Sequence, residues 1–141
     1  RQLRPPALDE LSFKDALHHL VNEFAFAERG IRCRFDYQLE NTPENETVRF
    51  TLYRLLQELL NNVCKHADAS EVSIALRQRE NSLHLEVDDN GVGILPEKSL
   101  ASVSRECVSA FNALGGELTI ESQNGTRVIV NLPTNLQQTR H

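Results

Sequence analysis

The chain has 141 residues, enough for a single domain with a sizeable core. It is 40% hydrophobic and 25% charged, ordinary for a globular protein, and holds no apolar run long enough to cross a bilayer. A net charge of −5 argues against nonspecific nucleic-acid binding. The cysteines Cys33, Cys64 and Cys107 form no Cys-x-x-Cys pair, which argues for reduced thiols in a cytoplasmic compartment and against a zinc site.

Arg1-Gln2-Leu3-Arg4 leads into prolines and not into an apolar stretch, so no signal peptide is expected. The start at Arg1 suggests a fragment of something larger. Leu3-Arg4-Pro5-Pro6 reads as extended or as a linker, because proline biases its predecessor away from helix. Ser12 is an N-cap, and Phe13, Ala16, Leu17, Leu20, Val21 and Phe24 keep helical spacing until Gly30 stops the helix. Residues 31–39 alternate as a strand with one buried face. After the turn at Asn41-Thr42-Pro43, a second helix runs from about Glu44 to His66. Its core stripe is Val48, Leu52, Leu55, Leu56, Leu59 and Val63. Residues 71–77 and 82–88 form a hairpin, 90–98 are irregular, and a third helix covers Leu100 to Leu114. Residues 117–121 and 126–132 pair around the Asn124-Gly125 turn. The order predicts an α+β two-layer sandwich, a mixed β-sheet with helices on one face.

Two stretches carry polar chemistry. In Gln57-Glu58-Leu59-Leu60-Asn61-Asn62-Val63-Cys64-Lys65-His66-Ala67, the residues Glu58, Asn62 and Lys65 share one strip beside the leucine stripe. Asn62 offers a neutral oxygen to Mg²⁺, Lys65 a point charge to phosphate, and Glu58 a base for a hydroxyl or a water. Taken alone, the strip also reads as a solvated helix face. His66 suits a helix C-terminal cation and Cys64 suits packing.

The second stretch is Asp88-Asp89-Asn90-Gly91-Val92-Gly93, an acidic, glycine-containing turn after a strand. Its glycines let backbone approach a planar ligand, and its carboxylate can accept from an exocyclic amine. An ordinary Asn-Gly hairpin turn is the plain alternative. Glu86, Asp88, Asn90, Gly91 and Glu97 also approach a calcium-loop spacing. That reading fails, because a strand precedes the loop where a helix is needed and Gly93 replaces the usual apolar residue.

Together the two stretches resemble the ATP-binding domain of the gyrase, MutL and histidine-kinase superfamily. The chain is most similar to sensor histidine kinases of the nitrate- and hexose-phosphate-sensing class. Leu3 to Leu11 fits the segment that opens the catalytic domain in that class. Gln57 to Ala67 meets its N motif in full. Asp89, Gly91 and Gly93 meet its first glycine motif, and Leu114-Gly115-Gly116 with Gly125-Thr126-Arg127-Val128 match its closing hairpin. The resemblance implies a Bergerat-type fold over residues 12–133, with 1–11 a linker from an upstream domain and 134–141 a tail. It implies ATP and Mg²⁺ as cofactors. Asn62 would hold the metal, Glu58 would lie near the γ-phosphate, and Lys65 would touch phosphates. Asp89 would read the adenine amine, Gly91 and Gly93 would line the base pocket, and Thr126 would close it.

The sequence departs from the family in the lid. Ser99 to Val108 carries neither the glycines nor the methionine of the second glycine motif. Ser102 and Ser104 are candidate substitute donors, while Arg105 reads as a surface charge. His18 and His19 lie inside the first helix and read as packing and surface residues, not phosphoacceptors. The resemblance therefore implies a histidine protein kinase domain that does not autophosphorylate alone. Its expected partners are an upstream dimerisation and phosphoacceptor domain of the same protein and a response regulator, with no nucleic acid. The fragment is expected to be monomeric and the intact protein a homodimer. The domain is expected to be cytoplasmic, in a class whose full-length members are often membrane-anchored. The alternative is a degenerate, nucleotide-poor relative acting as a regulatory module.

Overall fold

The computed structural model describes residues 5–92, 103–122 and 124–134; the side chains of His66 and Ala67 also lie outside the described part. The first helical element, α1 (Pro6–Glu10), starts with Pro6 at a helix-compatible first position after an extended Pro5. Pro5 is extended as the sequence suggested, while Pro6 already opens a helical turn whose Ala7 and Leu8 rest on the core. Leu3 and Arg4 lie outside the described residues. The α2 helix (Phe13–Glu23) begins at Ser12, whose hydroxyl accepts from the Asp15 N–H at 3.1 Å. It ends earlier than the apolar spacing suggested. Ala25 takes a left-handed conformation at φ 49°, and a 3₁₀ turn over Phe26–Arg29 runs on to Gly30 at φ 76°. Gly30 therefore closes that turn and not the helix.

Strand β1 (Arg32–Gln38) is followed by α3 (Glu46–Asn62), capped by the Asn45 side chain, and then by β2 (Glu71–Arg79). Strands β1 and β2 are parallel, as a connection through a helix allows. Strand β3 (Ser82–Asp89) pairs antiparallel with β2. Helix α4 (Arg105–Ala113) comes next, then the hairpin β4 (Glu117–Glu121) and β5 (Thr126–Pro133). The sheet order is β1-β2-β3-β5-β4, a mixed five-stranded sheet. Asn124 at φ 56° and Gly125 at φ 118° turn the last hairpin.

Period-2 alternation decides which face is buried. Val72, Ile74 and Leu76 of β2, Leu83, Leu85 and Val87 of β3, and Val128, Val130 and Leu132 of β5 all point inward. Their cross-strand pairing in register makes one apolar surface. Helices α2, α3 and α4 cover it. The α3 stripe read from the sequence is buried in full, and so are Thr51, Tyr53, Leu60, Glu58 and Asn62. A helix flanked by α2 on one side and α4 on the other keeps little solvated surface. His18 packs on Phe35 with ring centroids 4.7 Å apart and the rings tilted by 48°, and exposed His19 lies 3.2 Å from Glu23. Both therefore serve packing and surface, as expected. Among the described residues no helix is long and apolar enough to cross a membrane.

Candidate functional site

Helix α3 does not run regularly to His66. At Val63 it widens into a single π turn, Val63–Ala67, which ends at Asp68 in a left-handed conformation. Such a wide turn inserts extra backbone at a helix end and is frequent at functional positions. The single α-helical strip expected for Glu58, Asn62 and Lys65 is thereby interrupted. Glu58 and Asn62 sit in the regular helix, each only 8% exposed, and Lys65 is exposed on the π turn. The reading of this strip as plain solvated surface therefore fails for its first two members. A glutamate and an asparagine buried one turn apart at a helix end constitute a polar patch inside an apolar layer.

Topology brings that patch to the acidic turn. Only residues 63–70 separate α3 from the start of β2, so the C-terminal end of α3 lies where β2 begins. β3 ends and β5 begins at that same edge. Asp89 pairs with Val72 on one side and with Thr126 on the other. Because Val72 faces the helices, so do Asp89 and Thr126. The Asp89 carboxylate accepts from the Gly91 N–H at 2.8 Å and from the backbone N–H of Thr126. Burial pushes its carboxyl above the usual range, those two donors pull it back, and neighbouring Asp88 adds to the rise. The Thr126 side chain is 5% exposed, and its hydroxyl has no hydrogen-bond partner among the described residues. A buried hydroxyl without a partner carries a desolvation cost that a ligand donor or acceptor would relieve.

The rest of the acidic turn is scaffold. The Asn90 side-chain oxygen accepts from the N–H groups of Ser70 and Glu71, each at 2.9 Å, and its amide donates to the Ser70 hydroxyl at 2.9 Å. This staples the end of β3 to the start of β2. The chain after β3 does not fold back on it, since β2 and β5 occupy both its flanks, so the simple hairpin reading is excluded. The calcium-loop positions are likewise committed. Glu86 and Asp88 face Arg127 on the opposite side of the sheet. No cluster of three or more potential metal-ligating His, Cys, Asp or Glu side chains occurs among the described residues. Gly93 and Glu97 lie outside the described residues, as do Ser99, Leu100, Ala101 and Ser102 of the lid. Ser104 caps α4, its hydroxyl accepting from the Cys107 N–H at 3.1 Å.

Two residues escaped the sequence reading. An added Cβ on Gly125 would lie 2.0 Å from the Asp89 carbonyl oxygen. The Asn-Gly pair announced a turn, but not that the turn presses on the end of β3. Arg127, noted only within the closing motif, cross-links β3, β5 and β4 through Asp88, Glu86 and Glu121. Asp89 lines two depressions, one of about 420 Å³ with Cys33, Val72 and Asn90, and one of about 600 Å³ with Ser122, Asn124 and Thr126. A larger one, about 860 Å³, lies at the other end of the sheet around Glu40, Pro43, Asn45 and Glu80.

Comparison with known proteins bears on this arrangement. Residues 47–136 match the family described as histidine kinase-, DNA gyrase B-, and HSP90-like ATPase. The chain is 40% identical over 136 residues to the signal transduction histidine-protein kinase/phosphatase UhpB of Salmonella typhimurium, covering 94% of this chain and 27% of that protein. It is 29% identical to the sensor histidine kinase LiaS of Bacillus subtilis, covering 93% and 37%. The chain thus spans about a quarter to two fifths of the length of these relatives. The fold is similar to the catalytic domain of the histidine kinase ThkA, with a TM-score of 0.68 at 17% identity, covering 91% of this chain and 96% of that one.

Proposed function

The chain belongs to the histidine kinase-, DNA gyrase B-, and HSP90-like ATPase family, and we propose that it is the ATP-binding catalytic domain of a two-component sensor histidine kinase. It delivers the γ-phosphoryl of ATP to a histidine on an upstream dimerisation domain, from which a response regulator takes it. The intact protein is a homodimer through that domain, with this part on the cytoplasmic side. The naming of the relatives as histidine kinases supports this reading.

The observation that carries it is the pairing of Asp89 with Thr126. A half-buried carboxylate and a buried hydroxyl with no partner among the described residues sit opposite each other on the helix-facing side of the sheet. That donor and acceptor set fits the amine edge of a purine. Asp89 accepts from the exocyclic amine, the Thr126 hydroxyl closes the pocket, and Gly91 gives the base room. Gly93 takes the same role on the strength of the motif alone. At the end of α3, Asn62 would supply one oxygen to Mg²⁺, Glu58 would stand towards the γ-phosphate, and Lys65 would meet phosphate from the exposed π turn. A single protein oxygen suffices, because Mg²⁺ keeps its waters and takes its remaining ligands from phosphates. When bound, the metal neutralises charge on the transferring phosphoryl. The chain's own contribution is positioning and charge.

A second reading has a specific basis. The stretch Ser99 to Val108 has no glycine, and glycines there would let backbone N–H groups surround phosphates. A regulatory module that binds nucleotide poorly would follow. Calorimetric titration with a non-hydrolysable ATP analogue, with and without Mg²⁺, separates the two. Micromolar, Mg²⁺-dependent binding is the expected result. No binding at millimolar nucleotide overturns the kinase reading and leaves the regulatory one.

A further inference from the structure

On the solvent side of the sheet, a polar row crosses all five strands in register: Arg34, Ser73, Asp88, Arg127 and Glu121. Its centre is Arg127. The Arg127 Nε lies 3.0 Å from the Asp88 Oδ1 and 3.4 Å from the Glu86 Oε2, and a terminal guanidinium nitrogen lies 3.9 Å from the Glu121 Oε1. This row is immediately adjacent to the row holding Asp89 and Thr126. Two consecutive residues of β5 therefore grip two consecutive residues of β3 from opposite faces. Inside, Thr126 pairs in register with Asp89, and its backbone N–H acts on the Asp89 carboxylate. Outside, the Arg127 guanidinium donates to the Asp88 carboxylate.

We propose that Arg127 is a positioning residue for the nucleotide site, its clamp on Asp88 holding the start of β5 so that the Thr126 N–H and hydroxyl stay aligned with the Asp89 carboxylate. The inference rests on the proposed nucleotide site for its functional meaning, but its geometry does not require nucleotide. β5 needs such a device at this point. Its first residue follows a turn of two left-handed residues, and the Gly125 backbone is pressed on the Asp89 carbonyl. A register slip of one residue would turn Thr126 to solvent. Arg127 ties β5 to β3 and β4 at once, and the planar guanidinium can serve several carboxylates where an ammonium serves fewer.

The test reads the Asp89 carboxylate directly, by carbon-detected titration of its side chain in the nucleotide-free chain. The charged group that acts on it is its neighbour Asp88, whose own partners are Glu86 and Arg127. In Arg127→Ala the Asp89 titration is expected to move upward, because the Thr126 N–H is no longer held on it. The affinity for the Mg²⁺-bound ATP analogue is expected to fall about fivefold, the worth of one hydrogen bond. Arg127→Lys should restore part of both. A lower melting temperature with the Asp89 titration unchanged in the folded protein overturns the proposal, since Arg127 would then serve stability alone. If Arg127→Ala does not fold, Arg127→Gln carries the same two readouts, because it keeps side-chain hydrogen bonding to β3 without the charge-assisted clamp. Failure of the unaltered chain to bind the analogue would strike the nucleotide reading, while the Asp89 titration would still decide the clamp.

Discussion

The two ends of the sheet make an instructive contrast. The end near Glu40 and Glu80 holds the larger depression, about 860 Å³ against about 420 and 600 Å³ at the Asp89 end. Most of its lining comes from the 40–45 connection and the β2–β3 turn, and its carboxylates are exposed. At the Asp89 end the depressions are smaller, but a half-buried aspartate pairs with a threonine whose buried hydroxyl has no partner among the described residues, and α3 ends in a buried glutamate and asparagine. The Thr126 hydroxyl, with no partner among the described residues, carries a desolvation cost. Convergent polar groups, more than volume, are what distinguish the proposed nucleotide end from the other.

Mutations at the two ends should separate them sharply. Asp89→Asn removes the charged acceptor and is expected to weaken the ATP analogue at least ~30-fold, about 2 kcal/mol, with the chain still folded. Glu40→Gln at the larger depression should leave affinity unchanged within about twofold. Equal losses in the two variants, measured by calorimetry, would erase the contrast. Gly125→Ala should act on stability first. Its φ of 118° and the 2.0 Å approach to the Asp89 carbonyl leave no room for a Cβ. A cost of about 2–4 kcal/mol is expected. The melting temperature should then fall by roughly 6–15 °C. Thr126→Val sharpens the comparison in the opposite sense. Replacing an unpartnered buried hydroxyl by a methyl should leave the melting temperature level or raised, yet weaken the analogue about fivefold. A variant less stable yet equally tight would show the hydroxyl to be structural.

The smallest effect concerns pH. Asp88 is pushed up to about 6, by burial first and then by its hydrogen bond and charge repulsion with Glu86, against the pull of Arg127. A carboxyl raised in the folded state takes up its proton earlier on folding. Its contribution to stability is therefore full below the ordinary value and lost as pH rises through about 6. His84 has the opposite sign, since burial, Arg79 and Arg77 push it below its usual value. The informative quantity is the difference between chains. Asp88→Asn should show less loss of melting temperature than the parent between pH 4 and about 6.5. Parallel curves would mean that Asp88 is not the group titrating.

Much of this was legible in the chain because it is local. Period-2 alternation marked the first three strands, the Asn124-Gly125 turn marked the last two, and the spacing of Val48, Leu52, Leu55, Leu56, Leu59 and Val63 placed the buried stripe of α3. Ser12 announced its own helix start through hydrogen-bonding chemistry that spans only three residues. Family resemblance then marked Glu58, Asn62, Lys65, Asp89, Gly91, Gly93 and Thr126 as a set. Short-range features were misjudged where two local preferences compete. Ala25 breaks α2 before Gly30 can, and a π turn replaces the regular end of α3.

Only the tertiary structure decided which polar residues are buried and which face each meets. Asp88 and Asp89 are neighbours of one type, yet strand pairing sends one to Arg127 and solvent and the other to Thr126 and the helices. Nothing in their own identity chooses between those fates. The register of β3 against β5 does, and it is set by apolar pairs such as Leu85 with Val130. Gly125 is likewise only a turn residue until the end of β3 is laid against it. Short-range steric and hydrogen-bonding preferences belong to the chain itself, whereas burial and partnership arise from contacts between segments far apart in sequence.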